Sequence, residues 1–368
     1  MGTLTTLPSI KMLPKQSAFN PYLHGLRGLA ALFVLLYHLY HGATTAGNGQ
    51  IQGGYYFWPE DEWHHFLAYL LQPLNSGIEL FFMISGYLIT SSLIHLKDIK
   101  QFAINRCLRI YPAFLATQLV MFTIGPIIAY SWMVHLSVGD YLYNLLVNLL
   151  LLPGVFNFNI ALPAAWTLSF EALFYILAAL VYSCSLLVKN TLIYLLIGAL
   201  FLWVFYKLPA AQFFIPGILT YFILNKWPGL IDWIRIPILP FVSFIVLIGG
   251  LSLPIVQTNK GYFLMINLVG LLCFIYVVNG YGLIARLLHT RALYFLGSIS
   301  YSLYLWSVPI MFVVKRLALK MFTQNSNSYT VFYSFALCSI IAAILFSYWS
   351  FTLFEEKIPD YLKSKLNK

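Results

Sequence analysis

Arg27 and His38 are the first residues in the chain whose types and spacing suit chemistry. Both fall in one apolar run, 24–42. An ionisable group in such a run is a functional candidate, because lipid does not solvate its charge. On a helix, eleven residues advance about 16 Å and complete close to three turns, so the two side chains share a face. With Arg27 near the inner edge of a ~30 Å hydrocarbon layer, His38 sits close to its middle. An arginine there can hold a nucleotide phosphate while the imidazole meets a group carried deeper. The separation is comparable to the pantetheine arm of coenzyme A, which suits a thioester. The plainer alternative is a snorkelling arginine and a histidine bonded across helices.

A second cluster is Arg106-Cys-Leu-Arg109, two arginines at i, i+3 on one face of a helix start. Paired guanidiniums present fixed donor forks to phosphate oxygens. A positively charged flank of a membrane span explains them equally well without chemistry. Glu79 and Glu171 stand in apolar surroundings. Glu79 enters its run from the side opposite Arg27, so its depth approaches that of His38. A carboxylate on one imidazole nitrogen would orient the ring and make the other nitrogen more basic. Structural pairing of either carboxylate with Tyr or Arg is the competing explanation. Ser85-Gly86 allows close helix approach, and no G-x-S-x-G elbow surrounds Ser85 as a nucleophile. His64 and His65 beside Glu60–Glu62 lack an i, i+4 histidine pair, so no metal is expected.

These groups need a scaffold that tolerates an apolar setting. The chain of 368 residues is 61% hydrophobic and only 9% charged, with a mean hydropathy of +0.81. Soluble domains carry roughly 25% charged residues, so a soluble enzyme, a disordered chain and a coiled coil are excluded. Long apolar runs favour helices over a barrel, whose strands alternate in short segments. The expected fold is therefore all-α, a polytopic membrane protein of about ten transmembrane helices. The runs lie at 24–42, 75–95, 109–131, 166–188, 191–206, 209–225, 236–256, 262–283, 294–314 and 329–353. A further stretch, 141–152, is too short to span and is expected to lie in the interface or re-enter.

With both termini in the cytoplasm, all of the 21 Lys and Arg except Lys207, Lys260, Lys315, Arg316 and Lys320 fall inside. The last three are the dissent from this topology. A retained first span is expected rather than a cleaved signal peptide, because His38 and His41 stand where small residues would be needed. The net charge of +10 is spread through short gaps, so no nucleic-acid partner is expected. Cys107, Cys184, Cys273 and Cys338 show no CxxC or zinc spacing and read as buried apolar thiols. The domain reading is a cytoplasmic segment 1–22, a membrane domain 23–356 and a cytoplasmic tail 357–368. No internal repeat is visible, which counts against a transporter or flippase for a lipid-linked sugar.

The longest extramembrane segment, 43–74, has no Lys or Arg and combines Tyr55, Tyr56 and Trp58 with Glu60, Asp61 and Glu62. Aromatic faces can cover sugar rings and carboxylates can accept from hydroxyls, so Tyr55 and Trp58, with Glu171, are candidate substrate-binding residues. The three acids predict a neutral glycan. An interfacial aromatic belt is the alternative.

Several segments together resemble the acyltransferase-3 family, membrane enzymes that O-acylate sugars, peptidoglycan and small molecules. They are Leu23–Ala31 running to Tyr37-His38, Gly77–Gly86 (GIELFFMISG), Phe102–Pro112 (FAINRCLRIYP), Trp166–Tyr175 (WTLSFEALFY) and Leu296–Leu305 (LGSISYSLYL), with Phe354-Glu355 loosely matching a closing segment. The resemblance covers nearly the whole chain. It implies a ten-span domain and an acyl-coenzyme A donor, acetyl-CoA or another short acyl-CoA, reached from the cytoplasm. It also implies an essential histidine paired with an arginine, matched by His38 and Arg27, and an R-x-x-R matched by Arg106 and Arg109. His24 stands where the family often has Asp, and Ser307 replaces a common His. The expected protein sits in a bacterial inner (plasma) membrane and acylates an extracytoplasmic hydroxylated acceptor, with His38 as base or covalent relay and, from its depth in the second run, Glu79 beside it.

Overall fold

Backbone amides buried in hydrocarbon must be satisfied within their own segment, and the chain meets this requirement with helices. The computed structural model describes residues 19–44, 57–127, 131–187, 191–322 and 326–366. Among them run α1 (Pro21–Thr44), α2 (Glu62–Leu71), α3 (Gly77–Leu96), α4 (Ile99–Ile124), α5 (Val138–Leu149), α6 (Ala165–Leu187), α7 (Thr191–Lys207) and α8 (Phe214–Lys226). There follow α9 (Leu230–Trp233), α10 (Leu239–Ser252), α11 (Ile255–Thr258), α12 (Lys260–Val278), α13 (Gly282–Leu288), α14 (Arg291–Met321), α15 (Ser328–Ser350) and α16 (Ile358–Leu366). A π-helical turn, Phe351–Lys357, joins the last two. No strand occurs among the described residues.

Each of the ten apolar runs contains a helix among the described residues, but these helices are not equally long. Seven helical stretches among the described residues are long and apolar enough to cross a membrane: Pro21–Thr44, Glu62–Leu96, Ile99–Ile124, Ala165–Cys184, Lys260–Val278, Arg291–Met321 and Ser328–Lys365. The helices α7, α8 and α10 hold 17, 13 and 14 residues. Length and composition thus support seven spans where the sequence suggested ten. The stretch 141–152 forms α5, whose 12 residues are too few to span. Beyond it the chain loops back, held by Asn148, which donates to Asn159 O at 2.9 Å and accepts from Ala161 N at 3.0 Å.

The α14 helix corrects the boundary at 314. It runs 31 residues, to Met321, so Lys315 and Arg316 are helix residues and not loop charges. Lys315 is 3% exposed, and its Nζ donates to Gly42 O at 2.7 Å. Of the three dissenting charges Lys315 is buried, Arg316 half-buried and Lys320 exposed. Of the cysteines, Cys273 is buried, Cys184 is half-buried, and Cys107 and Cys338 are exposed, so the buried-thiol expectation holds for Cys273.

α1 is central, packed on α14, α3 and α13. Its approach to α14 depends on small residues, as helix contacts in membranes often do. A Cβ on Gly28 would stand 2.2 Å from Leu293 O, and one on Gly297 would stand 2.3 Å from His24 O. His24 spans the same seam, with Nε2 3.0 Å from Tyr294 O and 3.2 Å from Ser298 Oγ. That gives His24 a packing role on this seam. Gly28→Leu must push two backbones apart, and overpacking of this kind costs about 1–3 kcal/mol. A lower thermal-unfolding midpoint in detergent, with Gly28→Ala intermediate, is the expected measurement.

Part of segment 43–74 is helical. Asp61 caps α2, accepting from His64 N at 3.0 Å, with its other oxygen 2.6 Å from His64 Nδ1. The His64 backbone N–H is the main cause that lowers the Asp61 carboxyl to about 2, aided by Tyr329 and the His64 ring. A depressed carboxyl stabilises above its ordinary range, and this contribution is lost as the pH falls from about 4 toward 2. The buried His64 ring reaches Tyr333 of α15, Nε2 to hydroxyl 3.2 Å, so it is a packing link.

Candidate functional site

Polar side chains inside a helical bundle collect where helices separate, and here they line two chambers. The inner chamber has a volume of ≈ 60 Å³. Its wall takes Arg27 from α1, Ile78, Phe81 and Ser85 from α3, Arg106 and Arg109 from α4, Thr167 and Glu171 from α6, and Tyr301 and Tyr304 from α14. These five helices carry the five segments singled out in the sequence. Helical periodicity explains the pairs that α4, α6 and α14 contribute: Arg106 and Arg109, Thr167 and Glu171, Tyr301 and Tyr304 stand three or four apart.

The inner chamber is tightly wired. Glu171 accepts from the Ser85 hydroxyl at 2.8 Å and also from the Tyr175 hydroxyl. Ser85 is therefore a donor to a carboxylate and not an activated nucleophile. Arg106 Nη2 donates to Ser92 Oγ at 2.8 Å, and its guanidinium lies 5.2 Å from the Phe102 ring centre and 5.4 Å from that of Tyr175. Arg27 lies within electrostatic reach of Arg109, Glu355, Glu171 and Tyr175. Glu355 sits in the π-helical turn, where its Oε1 accepts from Ser302 N at 3.0 Å and Ser302 Oγ at 2.6 Å. Such turns often occur at functional positions. Three guanidiniums facing two carboxylates leave one surplus positive charge, which suits an anion better than a neutral ligand. The volume admits a few waters, so a large anion would bind at the mouth.

The outer chamber is larger, ≈ 520 Å³. It is lined by Tyr37, His38 and His41 of α1, by Ile160, Pro163 and Ala164 of the loop after α5, and by Trp166, Tyr304, Met311, Phe312, Lys315 and Phe335 among others. The His38 ring meets Tyr37 edge-on at 5.6 Å, and Tyr37 stacks on His41 at 6.0 Å. Ile78 and Tyr304 line both chambers. The Tyr304 hydroxyl is held 2.6 Å from Thr167 Oγ1, at the boundary.

The structure therefore gathers Arg27, Arg106, Arg109 and Glu171 in one chamber and puts His38 in the other. Glu171 belongs with the arginines and not with the 43–74 segment. Glu79 is not brought to His38: no hydrogen bond joins them, Glu79 lines neither chamber, and its buried Oε2 has no hydrogen-bond partner. The start of α3 at Gly77 packs beside Ala30 and Val34 of α1, inward of His38. Trp58 is 3% exposed, with edge-on contacts to Tyr40, His64 and Phe332. It has no open face for a sugar ring; Tyr55 and Tyr56 lie outside the described residues. Sequence reasoning missed Glu355, Tyr301, Tyr304, His41 and Lys315. Tyr301 and Tyr304 were within reach, being an i, i+3 pair in a segment already singled out. Among the described residues no group of His, Cys, Asp and Glu is arranged to hold a metal.

The described residues form a helical membrane domain whose polar interior is assembled from five separate segments. The family model for the acyltransferase domain of the acyltransferase-3 family matches residues 20–351. The chain belongs to that family and is a membrane acyltransferase. No curated protein and no solved structure matches it.

Proposed function

We propose that the protein moves an acetyl or other short acyl group from acyl-coenzyme A to a hydroxyl of a glycan on the far side of a bacterial plasma membrane. The observation that carries this reading is the pair of chambers meeting at Ile78 and Tyr304, arginines on one side and a histidine on the other. Donor phosphates bind at the cytoplasmic mouth through Arg27, Arg106 and Arg109, and the pantetheine arm passes Tyr304 to bring the thioester to His38. The ~16 Å between Arg27 and His38 along α1 suits that arm.

His38 accepts the proton of the acceptor hydroxyl as its oxygen attacks the thioester carbonyl carbon. The carbon–sulfur bond then breaks, the ester forms, and the coenzyme A thiolate takes the proton from the imidazolium. Glu171 and Glu355 lie within electrostatic reach of Arg27 and offset part of the positive charge of the arginine cluster. Tyr304 marks the passage between the two halves of the reaction.

The test uses purified protein in lipid nanodiscs with acyl-labelled acetyl-coenzyme A. Time-dependent release of coenzyme A, as hydrolysis without acceptor and as transfer with a hydroxylated glycan, is the expected result. Neither hydrolysis nor transfer, with coenzyme A still failing to bind, would sink the reading.

A further inference from the structure

We propose that the acceptor carries an anionic group beside its reacting hydroxyl, and that Lys315, with His41, receives it in the outer chamber. This rests on the acyltransferase reading, and it reverses the expectation of a neutral glycan drawn from the acids of segment 43–74.

The argument begins with the sign of charge on the walls. The chain has eleven Asp and Glu, and every one of them falls among the described residues. None lines the outer chamber. The ionisable groups that do line it are His38, His41, Lys315, Tyr37 and Tyr304. A ligand in this space therefore meets a lysine and two imidazoles with no carboxylate on the wall.

The lysine is deliberately placed. Taking an ammonium out of water costs several kcal/mol, and a membrane protein does not keep one at 3% exposure for solubility. The Gly42 carbonyl, 2.7 Å away, takes one of its three N–H donors, and the Phe57 ring centre lies 5.3 Å from Nζ. Both contacts fix the position of the charge at the chamber wall. His41 lies within electrostatic reach of both Lys315 and His38.

Spacing then says where the anion sits. Gly42 is four residues beyond His38 on α1, a rise of about 6 Å. An anion on Lys315 is thus held one helical turn outward of the hydroxyl that His38 deprotonates, a distance bridged by one sugar ring. Trp166 and Phe312 supply apolar wall for the ring between them. The acids that suggested a neutral acceptor are spent elsewhere: Asp61 is committed to His64 and Tyr329, and Glu60 and Glu62 are exposed away from the chamber. A uronate and a sugar phosphate share the required chemistry.

The experiment measures binding of methyl glucoside, methyl glucuronide and methyl glucoside 6-phosphate to the protein in nanodiscs, by saturation-transfer NMR. One charge-assisted contact is worth about tenfold or more in affinity, so at least one anionic sugar should bind that much tighter than the neutral one. Which of the two wins distinguishes carboxylate from phosphate. The preference should shrink as salt rises, vanish in Lys315→Met and persist in Lys315→Arg. Equal or tighter binding of methyl glucoside overturns the proposal, as does an undiminished preference in Lys315→Met. Should Lys315→Met fail to fold, a wild-type preference that is insensitive to salt overturns it. Donor hydrolysis is measured in the same preparations. Hydrolysis retained without an anionic preference sinks this inference alone, and a preference without hydrolysis sinks the acyltransferase reading alone.

Discussion

Replacing His38 with alanine is expected to lower acyl transfer by about 10²–10⁴-fold, the usual contribution of a positioned general base. Coenzyme A affinity should change little, because His38 lines the outer chamber and the three arginines line the inner one. The variant should fold. His38 is half-buried, its ring contact is with Tyr37, and no interhelical hydrogen bond is lost. His38→Gln separates two roles, since it keeps a hydrogen-bonding group of similar size without a base. If it behaves like alanine, proton transfer is the function. If it restores most of the rate, positioning is. Measured with labelled acetyl-coenzyme A, transfer by His38→Ala at close to the parent rate would remove the residue from the mechanism. A covalent relay predicts a further sign: label retained on the parent protein after denaturation and absent from both variants.

What could be read before the structure was governed by the periodicity of single helices. Arg27 with His38 and Arg106 with Arg109 each lie on one helix, so spacing and a 3.6-residue period were enough to place each pair on a face. Relations between helices needed more than depth. The sequence put Glu79 near the level of His38, but α3 begins at Gly77 beside Ala30 and Val34 of α1, inward of that histidine, and the buried Glu79 Oε2 has no hydrogen-bond partner. Lys315 was hidden by a boundary: three basic residues close together looked like the end of a span, whereas α14 continues to Met321. Glu355 was blurred by an ambiguous register that a π-helical turn resolves by directing its side chain to Ser302. Trp58 failed for a different reason. Aromatics beside acids describe a sugar platform or a packed corner equally well, and only burial separates the two.

Arg109→Ala is expected to weaken donor binding by about 1.5–3 kcal/mol, the loss of one charge-assisted phosphate contact, or one to two decades in affinity. Arg109 is a cleaner test than Arg106. The latter is bonded to Ser92 and packed against Phe102 and Tyr175, so its loss also leaves a hole and a bare hydroxyl. Arg106→Ala should therefore lower both donor affinity and thermal stability, whereas Arg109→Ala should act mainly on affinity. The charge balance sharpens the expectation. Removing either arginine leaves two guanidiniums facing Glu171 and Glu355, which cancels the surplus charge that favours an anion. Affinity for coenzyme A should consequently become less sensitive to salt in both variants. Arg109→Lys restores the charge without the planar fork and should recover only part of the loss. Glu171→Gln runs the other way: it raises the surplus charge but weakens the acceptor that holds Ser85 and Tyr175 on the chamber wall, so tighter donor binding with slower transfer is expected. The measurements are coenzyme A dissociation constants at two ionic strengths and transfer rates at saturating donor. Unchanged coenzyme A affinity in both alanine variants would return the pair to a flank of positive charge beside a membrane span, and the inner chamber would then need another ligand.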